Sequence, residues 1–450
     1  MEVEVNAYVI TYFFSSFIPK ATMSSEIIPP PLAHHAHWPP PGAAIQKMSE
    51  IDLPRSSITE WWYFNVHLSL VDGRKASAFI AFFRSNGTLE QTSTANHRTD
   101  SSVEGHLCHS HFLNFAISIP PDDSSRNTSS ASSELPSDGR YHFTSAMDTE
   151  GAATLLRELE AEVQMDPLMQ RSLLEVMRNN KLPEPDSFIP GDVFVSEEGN
   201  LNLKYGDLAS IVCRRNSQGE DVYHIVAQAA DGTYGFEFNV TPRKPPVDYG
   251  FKTDLLTGIP DDRMWYYFVP RCDVTGSLRI DSSQVKVNPN GSMGFYERKF
   301  GGGIRKLYQM GTQKIQRSWK WISVQLSNGW DLTIHTLWDV DVCSGDATVR
   351  DSRAIAIPPE GIHFDCDEHS FESVEIWTSM TTLNDYGTKW KLVVPQLNLD
   401  VSVEAAVVKQ EVRTIAAGRG YWEGRVDITG TMDGKSINGL GFVEVCRITS

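Results

Sequence analysis

"ITEWWYFNVHLSL", residues 58–70, is the stretch on which the reading of the whole chain turns. Successive side chains of a strand point to opposite faces. Glu60, Trp62 and Phe64 therefore share one face, and Trp61, Tyr63 and Asn65 the other. So much ring surface beside an acid has two readings: a packed core, or the wall of a cavity for an apolar substrate. Parity leaves open which face is the inner one. The stretch runs through Asp72-Gly73 into "KASAFIAFF", a hairpin with a D-G turn.

Working outward, the β pattern persists. "HSHFLNFAISI", "LNLKYG", "VYHIVAQAA" and "YGFEFNVTP" precede a Pro/Gly-rich connection at 241–262. After it come "MWYYFVPRCDVTGSLRI", "KWISVQLSNGWDLTIHTLWDV", "WKLVVPQLNLDVSVEAAV" and "YWEGRVDITGTMDGKSINGLGFVEV", punctuated by N-G, D-G and S-G. Helical composition is confined to about 148–180. There "EGAATLLRELEAEV" and, behind Asp166-Pro167, "LMQRSLLEVM" read as two helices inserted into a β domain. The strand–helix alternation of Rossmann and TIM folds is missing. The expectation is a mainly β chain of two sequential antiparallel barrels or sandwiches, with an N-terminal extension (1–50), a first domain (51–245) and a second (246–450).

The net charge of −17 over 450 residues argues against a nucleic-acid surface and against docking on anionic lipid. Six scattered cysteines contain no C-x-x-C and suit buried thiols, with one or two disulfides open to a chain on the secretory route. "AYVITYFFSSFI" near the N-terminus has the length of a signal h-region, but "MEVEVN" before it is acidic and the run is too short for a stable membrane span. A cytoplasmic location is expected, with the secretory route as the alternative. The Pro-rich lead-in at 24–50, its "HHAH", and the polar stretch "PPDDSSRNTSSASSELPSDGR" read as solvated chain. In "HLCHSHF", His109 and His111 share a face, but no third ligand is in sight, and no metal is expected. Phosphate, dinucleotide, nucleophile-elbow and zincin motifs are all missing, so no cofactor is expected either.

Five segments, in order from about 58 to 446, together carry a resemblance: "EWWYFNVHL" with "AFFR"; "MWYYFVPRCDVTGSLRI"; "GFYERKFG" at 294–301; "SWKWISVQLSNGWDL"; and "YWEGRVDITG" with "GLGFVEV". The chain resembles the AttH/carotenoid-hydratase-like proteins. That resemblance implies two lipocalin-like β-barrels packed side by side. The family includes bacterial carotenoid hydratases and fungal lipocalin-like pericyclases of secondary metabolism, which close rings by Diels–Alder or hetero-Diels–Alder reaction without a cofactor. Here Glu297 stands where the family carries Asp, and Tyr296 where it carries His or Met. This departure weighs against the hydratase and leaves a divergent pericyclase as the leading expectation. A hydratase or isomerase using Glu297 as acid, or a non-catalytic carrier of apolar metabolites, are the alternatives.

A cycloaddition needs two π systems held at near-attack distance and a hydrogen-bond donor for the charge that develops. Glu297, Tyr296 and Arg84 are the expected catalytic residues. Glu60, Trp62, Phe64, Tyr266, Trp319, Trp321, Trp338 and Trp422 are the expected substrate contacts. On "WKWISVQL", Trp319 and Trp321 share a mixed face with Ser323 and Gln325, whereas Ile322, Val324 and Leu326 form a core face. The expected ligand is an apolar small molecule of polyene, terpene or quinone-methide type, and the expected state a monomer or homodimer.

Overall fold

The Trp61-Trp62-Tyr63 run lies within β1 (Thr59–Leu70), whose hairpin partner is β2 (Lys75–Asn86). Gly73 takes φ 90°, the left-handed geometry that a short hairpin loop needs and that glycine adopts without strain. In this computed structural model the described residues are 59–86, 109–121, 139–161, 187–196, 199–248, 263–301, 315–341, 344–380, 382–412 and 420–446, with short pieces at 48, 52–54, 171, 174–175, 178–179 and 252–253.

The first sheet continues through β3 (His109–Ile119), β4 (Arg140–Asp148), β5 (Ser187–Gly191), β6 (Val193–Val195), β7 (Asn202–Tyr205), β8 (Ala209–Arg215), β9 (Asp221–Gln228) and β10 (Gly235–Pro242). It is completed by β11 (Val247–Asp248), β12 (Lys252–Thr253), β13 (Arg263–Ile280) and β14 (Ser283–Gly301). The 14 strands run in the order β5-β4-β3-β2-β1-β14-β13-β10-β9-β8-β7-β6, with β11 and β12 paired to β13. This sheet is a nearly closed barrel. One helix, α1 (Thr149–Ala161), follows β4. The second helix expected behind Pro167 lies largely outside the described residues, as do the N-terminal apolar run, the lead-in with its "HHAH", and most of 120–140.

The second sheet holds β15 (Ile315–Leu326), β16 (Asp331–Asp341), β17 (Ala347–Ile357), β18 (Phe364–Cys366) and β19 (Ser370–Thr378). It also holds β20 (Asp385–Val394), β21 (Leu399–Ala405), β22 (Glu411–Val412), β23 (Tyr421–Met432) and β24 (Lys435–Cys446). These 10 strands form a half-barrel beside the first, in the order β18-β17-β16-β15-β24-β23-β21-β20-β19, with β22 paired to β23. The change of sheet falls between Gly301 and Ile315, downstream of residue 245. The reason is that the long hairpin of β13 and β14 lies between β10 and β1 and joins the β1–β5 half of the barrel wall to the β6–β10 half.

The barrel interior is filled. Trp62, Phe64, Phe238, Tyr223, Tyr267 and Tyr296 are buried together in one core. At its centre sits Asp52, wholly buried, whose carboxylate accepts the hydroxyls of Tyr223, Tyr267 and Tyr296. Burial pushes this carboxyl up to about 6, against the lowering effect of the three hydroxyls and of Arg298. The half-barrel has its own core around Ile322, Val324, Leu326, Trp390 and Trp422. A third apolar cluster lies between the sheets, on the outer face of each, and includes Tyr63, Phe79, Phe268, Phe295, Phe442 and Tyr421.

Polar ties lock that junction. Gln325 Nε2 donates to the carbonyls of Pro270 (2.8 Å) and Gly294 (2.9 Å). Asp331, 1% exposed, is held by Lys244 Nζ and Arg271 Nη2, each at 2.7 Å. Removing one partner of a buried ion pair leaves the other uncompensated. Asp331→Ala is accordingly expected to cost about 3 kcal/mol in urea unfolding. A loss no greater than that of an exposed Asp→Ala change would show that the clamp contributes nothing.

The described cysteines Cys213, Cys272 and Cys366 are free thiols and buried, and Cys446 is buried as well. Burial raises the thiol pKa of each of Cys213, Cys272 and Cys366. Among the described residues no helix is long and apolar enough to cross a membrane, and no group of His, Cys, Asp and Glu could hold a metal ion.

Candidate active site

Strand register brings three carboxyls to the junction. On β14, Glu297 lies opposite Tyr63 of β1 and Phe268 of β13. On the second sheet, Glu423 of β23 lies directly opposite Glu444 of β24, and Glu444 directly opposite Trp321 of β15. Because Glu297 shares parity with Phe295 and Glu444 with Phe442, all three acids issue from the outer faces that meet in the third cluster.

Each acid has indole or phenol donors. Trp61 Nε1 donates to Glu297 Oε1 at 3.0 Å, and the Tyr266 hydroxyl to Glu297 Oε2. Trp319 Nε1 donates to Glu444 Oε1 at 2.9 Å. The hydroxyls of Tyr63 and Tyr421 hydrogen-bond the Glu423 carboxyl. Lys299 places its ammonium 5.0 Å from the Trp61 ring. Trp321 meets Phe295 at 5.3 Å and Tyr63 at 6.5 Å, both edge-on.

Burial dominates the electrostatics. It pushes Glu297 up to about 8, opposed by the Tyr266 and Trp61 hydrogen bonds and reinforced by Glu444. It pushes Glu444 up to about 7, opposed by Trp319. Glu423 is raised well above the usual carboxyl range by burial first and by the charges of Glu444 and Glu297 next. Three acids that resist ionisation can donate protons near neutral pH, which ordinary carboxyls cannot.

Of the residues expected from sequence, Glu297, Tyr266, Trp319 and Trp321 come together here. The others lie elsewhere. Tyr296 points into the barrel, bonded to Asp52, while Trp62 and Phe64 are in the same interior core. Glu60 is buried there too, paired with Arg298 and with Arg84 at 3.4 Å. Trp338 is half-buried against Lys320, 5.8 Å away. Trp422 packs in the half-barrel core, 5.6 Å from Trp390, and donates to the Val408 carbonyl. These placements follow from parity: Tyr296 and Glu297 are neighbours on one strand and must part to opposite faces.

Sequence reasoning singled out none of Glu423, Glu444, Tyr63 and Tyr421 as site residues. The signal was present. Asp433 (φ 50°) and Gly434 (φ 72°) form a two-residue turn of the kind that requires both residues left-handed. Counting outward from it sets Glu423 opposite Glu444, a like-charge pair that an ordinary hairpin avoids.

The AttH-like family matches residues 197–446, more than half of the chain. The chain belongs to the AttH-like family. Two solved structures share its fold across nearly their whole length. An AttH protein from Nitrosomonas europaea superposes with a TM-score of 0.55 at 17% identity, covering 90% of this chain and 97% of that one. Kievitone hydratase from Nectria haematococca superposes with a TM-score of 0.52 at 12% identity, covering 91% and 94%. No curated protein matches the sequence. The two barrel-type sheets side by side are thus the architecture of an AttH-like protein, as the sequence resemblance implied.

Proposed function

We propose that this AttH-like protein is a cofactor-independent acid–base enzyme of hydratase type, acting on a carbon–carbon double bond of an apolar polyene, terpene or quinone-methide-like molecule at the junction of the two sheets. The observation that carries this reading is the set of three abutting carboxyls, each shifted so that it keeps its proton near neutrality. One protonated carboxyl gives its proton to an alkene carbon. The cation formed at the other carbon is stabilised by the ring faces of Trp61, Tyr63 and Trp321. Water adds to that cation and loses a proton to a carboxylate, so the sum is addition of H2O and the acids regain their starting state. The directly opposed Glu423 and Glu444 suit this exchange, because only one of two close carboxyls ionises readily. The shared fold with a protein named as a hydratase supports the reading.

The same donors favour a second reading, the pericyclase. A neutral carboxyl, or the Tyr266 hydroxyl beside Glu297, would hydrogen-bond a substrate carbonyl while the rings align two π systems. Incubating the protein in D2O with kievitone, polyene and quinone-methide precursors separates these. A hydratase yields a product heavier by one water, with one non-exchangeable deuterium where the proton goes to the alkene carbon of a polyene. A pericyclase yields an isomer of the substrate with no deuterium. Ligands recovered unchanged after tight binding would leave a carrier and defeat both enzymatic readings.

A further inference from the structure

Tyr63 is the centre of a second group of polar atoms beside the acids. Its hydroxyl accepts the Asn65 amide Nδ2 at 3.3 Å and hydrogen-bonds the Glu423 carboxyl, and its ring touches Trp321 edge-on. Around it, three buried atoms have no hydrogen-bond partner among the described residues: Asn65 Oδ1, Trp321 Nε1 and Glu423 Oε1. Asn65 is 0% exposed and Glu423 2%. Buried polar atoms are nearly always paired, so three around one side chain point to a ligand that pairs them.

Their polarity restricts the ligand. Asn65 Oδ1, an amide oxygen, only accepts, and the Nδ2 donation to Tyr63 fixes which way the amide faces. Trp321 Nε1 only donates. Glu423 Oε1 donates when the acid is protonated, the form that burial favours. A carbonyl would leave Asn65 unmatched and an ammonium would leave Trp321 unmatched. A hydroxyl satisfies all three, since it donates one hydrogen bond and accepts two. We propose that Asn65, Trp321 and Glu423 form a hydroxyl-recognition site, filled by an alcohol or phenol group of the substrate or by the water that adds to it. The proposal deepens the function proposed above and rests on it only for where the substrate lies.

Calorimetric binding of 2-naphthol and 2-methoxynaphthalene to the full-length wild type, Asn65→Leu and Trp321→Phe tests it, together with a high-resolution crystal structure of the ligand-free protein. Trp321→Phe removes only an N–H from a half-buried ring and keeps the test alive if Asn65→Leu fails to fold. The expected result is a preference of about 100-fold for 2-naphthol in the wild type, falling to within about threefold in each variant that folds. That outcome assigns the site to a substrate hydroxyl. Equal binding of both probes, with an ordered water bridging Asn65 Oδ1 and Trp321 Nε1 that is lost in Trp321→Phe crystals, assigns it to the adding water. Equal binding without such a water, or a preference that survives in the variants, overturns the proposal. None of these readouts requires turnover, so a failure of the acid chemistry in D2O and a failure here are separate results.

Discussion

Glu423→Gln is expected to slow water addition by about 10²–10⁴-fold, the usual worth of a positioned general acid, while leaving the fold as stable as the parent or more so above pH 7. The two halves of this expectation share one cause. Glutamine keeps an acceptor for the Tyr63 and Tyr421 hydroxyls, so the packing around residue 423 is preserved. It carries no exchangeable acid proton, so the chemistry is not. It also removes a carboxyl whose ionisation, directly opposite Glu444, costs the fold at high pH. Catalytic groups held against their electrostatic preference commonly cost stability, and their removal returns it. Turnover and thermal unfolding measured on the same preparation check both halves. A Glu423→Gln protein that retains activity within threefold would remove this acid from the mechanism.

The same groups set a pH dependence. Glu297 and Glu444 have an ordinary value of 4.5 and are raised to about 8 and about 7 in the fold. Across pH 4.5–8 the folded protein holds protons that the unfolded chain has already released. The stability these two groups contribute therefore falls as pH rises through that window and levels off above it. Asp52, raised from 3.8 to about 6, adds to the lower part of the fall. Each tenfold change in a group's proton affinity on folding is worth about 1.4 kcal/mol, so the fall is on the order of 10 kcal/mol. Glu423→Gln flattens the slope as well, because Glu423 is itself raised well above the usual carboxyl range and the amide that replaces it does not titrate.

How much of this was legible beforehand depended on the distance over which each feature is decided. The β class, the hairpins and the two-face parity of β1 are local properties, and alternation with turn chemistry displays them. The mixed face of Trp319, Trp321, Ser323 and Gln325 was readable for the same reason, and Gln325 on that face does reach the first sheet. Which face of β1 is the inner one was not readable, because it depends on β14 arriving beside β1 from more than 200 residues away. The Glu423–Glu444 opposition could have been counted from its turn, but its meeting with Glu297 could not, because that acid belongs to the other sheet. The plug at Asp52 was hidden because its three tyrosines come from three different strands.

Glu60→Ala is expected to destabilise the protein by about 3–5 kcal/mol, the cost of leaving a buried cation without its counter-ion. Arg298 is 0% exposed inside the barrel. Its Nη2 is paired with Glu60 Oε2, and its guanidinium stacks 3.9 Å from the centre of the Trp62 ring. Its Nη1 donates to the backbone carbonyls of Trp61 and Lys299 and its Nη2 also to that of Leu53, and none of these cancels a full charge. Arg84, 3.4 Å from the same carboxylate, loses that counter-charge too. From sequence, Glu60 was expected at the substrate and Arg84 in catalysis, whereas here they neutralise each other within the first sheet's interior. Urea unfolding with an unchanged m-value is the measurement. Glu60→Leu combined with Arg298→Met should recover part of the loss, since a buried ion pair replaced by apolar side chains is often nearly neutral. A Glu60→Ala penalty below about 1 kcal/mol, the range of exposed pairs, would mean that water reaches this pair and that the barrel interior is open.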